Sequence, residues 1–64
     1  MKIYKIETET GEYIIDICVD IDIIHGYIMT GRDVTVYVAE ASEESFIDYE
    51  DDDFDWKYYD SYSA

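Results

Sequence analysis

Asp51, Asp53 and Asp55 stand at alternate positions in a run of carboxylates and aromatic rings, Tyr49-Glu50-Asp51-Asp52-Asp53-Phe54-Asp55-Trp56. Alternate aspartates are how a calcium loop presents its leading oxygen ligands, so cation binding is the first chemistry to consider. The spacing then fails. Trp56 occupies the place that needs a glycine for the sharp turn, and Tyr62 the place of the bidentate glutamate. What remains is weak, non-specific attraction of divalent cations, and no metal site is assigned. The sequence also has no glycine-rich phosphate loop, no cysteine–histidine pair at ligand spacing and no nucleophile beside an evident base. His25 falls on an apolar stripe, where a hydrogen-bonded, half-core ring is expected, and Cys18 falls on the opposite face as a small filler. No catalytic residue and no cofactor is expected, and the chain is not read as an enzyme.

The chemistry that the acids do support is electrostatic. Seventeen Asp and Glu against four Lys and Arg give a formal charge of −13 on 64 residues. Such acidity is common in disordered tails, which are poor in apolar residues. Here 48% of the chain is apolar and 17% aromatic, enough for one small core. A single domain over 1–64 is the limit at this length. The charge is uneven: residues 1–39 hold seven acids and three bases, for −4, and residues 40–64 hold ten acids and one base, Lys57, for −9. The start, Met1-Lys2-Ile3-Tyr4-Lys5, lacks the apolar run of a signal peptide, and no stretch approaches the roughly 20 apolar residues of a membrane span. A single cysteine forms no internal disulfide. A cytoplasmic protein with no membrane partner is expected, firmer in salt because its charges repel one another.

The acids must be held by a frame, and the first 40 residues alternate. Tyr13, Ile15, Ile17, Val19, Ile21, Ile23, His25, Tyr27 and Met29 share one parity, opposed by Glu12, Asp16, Cys18, Asp20 and Asp22. Period two predicts β-structure with one buried face. A two-residue turn at Thr10-Gly11 pairs Ile6 with Ile15, Tyr4 with Ile17 and Lys5 with Asp16. A second at Gly31-Arg32 pairs Met29 with Val34, Tyr27 with Val36 and His25 with Val38. A straight strand over 12–29 would be about 60 Å long at roughly 3.3 Å per residue, so a break is expected within 20–26, with Gly26 as a bulge. After residue 41, Ser42 is placed to cap a short helix with Glu43 and Glu44 in its first turn. Phe54, Trp56 and Tyr58 then alternate with Asp55, Lys57 and Tyr59, as in an edge strand. The expected fold is α+β or mainly β: a strongly bent antiparallel sheet of three to four strands over 1–40, then an acidic, aromatic segment over 41–64 carrying the short helix and an extended tail.

On that frame Asp16, Asp20 and Asp22 form one bank of carboxylates on the outer face of the sheet, with alternate residues roughly 6.6 Å apart. Glu43, Glu44, Asp48, Glu50, Asp51, Asp52, Asp53 and Asp55 form a denser second bank, with Tyr49, Trp56, Tyr58 and Tyr59 among them. Duplex DNA carries one negative charge per about 1.7 Å of axis, and its binding proteins answer with grooves of Lys and Arg. Ordered carboxylates imitate that polyanion, and Tyr and Trp add rings that stack on Arg. In size, charge and the tract over 49–56, the chain resembles the small, acidic, phage-encoded inhibitors that mimic nucleic acid, which include anti-CRISPR and anti-restriction proteins and inhibitors of uracil-DNA glycosylase. The resemblance lies in composition and layout, and these inhibitors share no common fold. It implies a basic nucleic-acid-binding partner, such as a Cas effector or a restriction or repair enzyme, with no direct binding of nucleic acid, by a monomer or homodimer. Two other readings stay open. One is an acidic adaptor or antitoxin that caps a basic partner without mimicry; the other is a halophile's protein whose acids only hold water and cations.

Overall fold

A computed structural model describes residues 1–41 and 54–64. Four strands and one helix follow one another as β1 (Lys2–Thr8), β2 (Tyr13–Asp16), α1 (Ile21–Met29), β3 (Val34–Glu40) and β4 (Lys57–Tyr62). The strands form one open antiparallel sheet in the order β2-β1-β3-β4, an α+β architecture. Among the described residues no helix is long and apolar enough to cross a membrane.

The central strand β1 is buried on both faces, which explains its near-continuous burial. Ile6 points to the side covered by α1, where it packs with Ile24, Val34 and Val36 and, at the margins, with Tyr4, Val19, Tyr27, Ile28 and Tyr62. Ile3 points the other way, into a second cluster with Ala39 and Ala41, against which Ile15, Phe54 and Trp56 pack. Two small cores on opposite sides of one sheet thus replace the single buried face that simple alternation predicts.

Three expectations are corrected. First, 21–29 is a helix and not a continuation of β2. Asp20 caps it, its Oδ1 accepting the amides of Asp22 (3.0 Å) and Ile23 (3.4 Å). Ile23, Ile24, Tyr27 and Ile28 then meet the sheet side with helical spacing. Ile24 and Ile28 lie at the parity that strand alternation reserves for polar residues. With Gly26 inside the helix, no bulge forms there, and His25 is exposed on the helix surface instead of half-buried.

Second, Gly31 ends that helix and makes no hairpin. At φ +82° it closes a Schellman motif: its amide donates to the carbonyl of Ile28 (3.0 Å), and that of Arg32 to the carbonyl of Tyr27 (3.1 Å). β3 therefore leaves α1 free to pair with β1, so that Val34 faces Thr8, Val36 faces Ile6 and Val38 faces Tyr4.

Third, the first hairpin is one residue out of the expected register. Glu9-Thr10-Gly11 forms a three-residue loop closed by the Thr8 amide on the carbonyl of Glu12 (2.8 Å), with Gly11 at φ +90°. Ile6 then faces Ile14, Lys5 faces Ile15 and Tyr4 faces Asp16. A one-residue slip turns every β2 side chain to the other face, and that is how Ile15 reaches the second core. The helix expected from Ser42 lies outside the described residues. The edge strand expected near the C-terminus is β4, which pairs with β3 through a bulge opposite Val36 and Tyr37.

Candidate functional site

The candidate acids and rings fall on three parts of this frame. Asp16, Asp20 and Asp22 do not form a strand bank, because the chain turns from β2 into α1 between them. Asp16 closes the edge strand β2, and its Oδ1 accepts the amide of Ile17 at 2.7 Å. Asp20 is the half-buried helix cap, and Asp22 is exposed in the first turn, where carboxylates suit the positive end of the helix dipole. Glu43, Glu44, Asp48, Tyr49, Glu50, Asp51, Asp52 and Asp53 lie outside the described residues.

Asp55, Trp56, Tyr58 and Tyr59 lie in and just before the edge strand β4, with Trp56 on the second core and Tyr59 turned towards Tyr4 at the margin of the first. Trp56 is half-buried, its ring edge-on to that of Phe54 at 5.6 Å, and both rings pack on Ile3, Ala39 and Ala41. Tyr58 and Tyr59 are 64% and 50% exposed. Tyr59 sits at the bulge and sets its ring edge-on to Tyr4 at 5.2 Å, while the Tyr58 hydroxyl lies 3.0 Å from that of Ser61. Asp55 lines a shallow cleft of about 270 Å³ with Lys2, Val38, Ala39, Glu40 and Lys57.

Two acids of this region escape the sequence reading. Asp60 is exposed on β4, its Oδ1 accepting the Ser61 amide at 2.8 Å. It also raises the pKa of Tyr62, whose phenol is disfavoured as an anion first by burial, then by the charge and hydrogen bond of Asp60, then by Tyr59. Glu40, at the end of β3, lies 3.8 Å from the N-terminal ammonium. Both fall outside the dense acidic run, and only the fold brings Glu40 to the cleft that Asp55 lines and Asp60 to Tyr62.

The bases matter as much as the acids. Lys5, on the central strand, is 8% exposed. Its Nζ lies 5.3, 5.5 and 5.8 Å from the ring centres of Tyr13, Tyr37 and Trp56, and 3.6 Å from a Glu7 carboxylate oxygen. Arg32 donates to the Glu12 carboxylate at 2.6 Å. Two of the four Lys and Arg residues are thus turned into the fold or paired, which leaves Lys2 and Lys57 as exposed basic side chains. The outer surface keeps Lys2, Lys57 and the Glu12-paired Arg32 as its bases. Among the described residues no group of three or more His, Cys, Asp or Glu side chains is arranged to hold a metal ion. What the arrangement offers is charge and ring stacking on a rigid sheet.

Comparison with family models, with curated proteins and with solved structures found no match to this chain.

Proposed function

We propose that this protein is an inhibitor that imitates a nucleic-acid polyanion and occupies the basic binding groove of a host defence enzyme, as an anti-CRISPR protein does to a Cas effector. The observation that carries this reading is the burial of Lys5, and the pairing of Arg32 with Glu12 at the surface, in a chain already at −13. A protein that needed acids only for solubility has no use for burying one of its four bases. Among the described residues the sheet carries Glu40 and Asp60, and Tyr58 and Tyr59 share β4 with Asp60, where Arg side chains of a groove would stack. Such a surface displaces the counterions held by a basic groove and associates fast and with strong salt dependence.

The test is neutralisation of Asp51, Asp52, Asp53 and Asp55 together to Asn. Loss of most of the affinity, with folding intact or firmer, is expected. Undiminished inhibition by the neutralised chain sinks the assignment of binding to this tract. A second reading, an adaptor or antitoxin that caps a basic partner without mimicry, draws on the exposed Ile21 and Met29, for which nucleic acid has no counterpart. The two part company on one point: a mimic competes with DNA or RNA for its partner, and an adaptor need not.

A further inference from the structure

We infer that the cleft lined by Lys2 and Lys57 is a binding site for a small zwitterion, a free amino acid or a dipeptide. Lys2, Val38, Glu40 and Lys57 share one face of three neighbouring strands. Lys2 stands opposite Glu40 across β1 and β3, and Val38 opposite Lys57 across β3 and β4. Helix α1 covers that face at Ile6, Val34 and Val36, and the cleft lies at its other end. Half-buried Val38 and buried Ala39 give it an apolar lining, with Asp55 beside them. Its volume is about 270 Å³, below the roughly 300–1,000 Å³ of pockets for drug-sized ligands, so the ligand is small.

Charge selects the ligand. Among the described residues neither Lys2 nor Lys57 is in an ion pair, although Lys2 stands directly opposite Glu40. Glu40 lies 3.8 Å from the N-terminal ammonium instead. Of the other two bases, Lys5 is buried and Arg32 is paired with Glu12. The two bases that remain for a ligand therefore line one cleft. They stand two strands apart, roughly 10 Å between backbones at the ordinary strand spacing, which their flexible stems span. A carboxylate above Val38 takes a charge-assisted hydrogen bond from each lysine, and Asp55 and Glu40 accept from an ammonium. A simple anion is repelled by a chain at −13, and a simple cation finds acids elsewhere on it. A zwitterion has no net charge and is held by both kinds of group at once. This site stands whether or not nucleic acid competes for a partner.

The experiment is an amide NMR titration of the full chain with four probes: leucine, alanyl-leucine, N-acetyl-alanyl-leucine and alanyl-leucine amide. Leucine or alanyl-leucine is expected to shift the amides of Val38, Ala39, Glu40, Asp55 and Lys57 to saturation, and the tighter of the two fixes the length of the ligand. Each blocked dipeptide lacks one charge and is expected to bind at least about tenfold more weakly, the scale of one hydrogen bond to a charged group. The double variant Lys2→Gln, Lys57→Gln should lose affinity by a similar factor, with its amide spectrum unchanged away from the cleft. Lys2→Arg, Lys57→Arg keeps both charges and retains binding, whereas Val38→Phe fills the cleft and abolishes it with both lysines in place. Absence of saturable shifts at the cleft overturns the inference. So does equal binding of the acetylated form, the mark of a plain anion site, or of the amide form, the mark of cations gathering on an acidic chain.

Discussion

Lys5 is a cation buried among three aromatic rings, beside a carboxylate, in a chain short of cations. Its stem crosses the second core, and its ammonium meets ring faces that are worth more when desolvated. Lys5→Met keeps the stem and removes the charge. Urea unfolding should show a loss of about 1–2 kcal/mol, the scale of partly desolvated cation–π contacts. A gain in stability would mean that the desolvation cost of the ammonium exceeds its attractions. At Tyr62 the sign runs with pH. Its pKa is raised above the ordinary value of 10.0, so the folded state holds the phenolic proton more tightly than the unfolded chain does. That contribution is complete below pH 10 and fades as pH climbs through the raised value. Tyr62→Phe should therefore lose less stability than the wild type between neutral and strongly alkaline pH, as denaturant unfolding would reveal. Neither role is visible in the sequence. Lys5 reads there as one polar position opposite Asp16, because the assumed turn is one residue too short and places the wrong neighbour across the strand.

The helix shows how far local pattern reaches. Two glycines near it invite opposite outcomes. Gly26 lies mid-helix with open space where a Cβ would stand, so Gly26→Ala should stabilise by about 0.5–1 kcal/mol. Gly31 sits at φ +82°, so Gly31→Ala should cost about 1–2 kcal/mol, the penalty of a left-handed residue with a side chain. Thermal melts of the pair, moving in opposite directions, check the helix and its C-terminal cap together. From sequence this stretch reads as strand because Ile21, Ile23, Tyr27 and Met29 fit period two and isoleucine favours strands. Ile24 and Ile28 break that alternation, and Asp20 ahead of them is a helix cap, so the corrective signal was present. Strands on either side are legible: β1, β2 and β3 are read as strands, and the edge strand read from the alternation over 54–59 forms three residues later, as β4 over Lys57–Tyr62. Register and pairing are not, because loop length alone decides the first, and a helix between β2 and β3 alters the second.

Across the whole molecule, charge density bears on stability and, under the proposed function, on the choice of partner. With −13 on 64 residues, self-repulsion opposes the compact state, and raising sodium chloride from about 0.1 to 1 M shortens the Debye length from roughly 10 to 3 Å. The melting temperature should climb over that range while the chain stays folded at the lower salt; unfolding in ordinary buffer would fit a halophile's protein better than a mimic. The acidic character of the site is legible from composition alone. Its arrangement is not: the tertiary fold hides Lys5, pairs Arg32 with Glu12, and moves Asp16, Asp20 and Asp22 off a common strand. The central claim is that these carboxylates stand in for phosphates. Its most direct measurement is capture of the partner from bacterial lysate on the immobilised chain, followed by elution with DNA or RNA at constant ionic strength. Mimicry predicts one nucleic-acid-binding enzyme, released in proportion to added nucleic acid and at low salt slope in the neutralised variant. A partner that stays bound under saturating nucleic acid would contradict it.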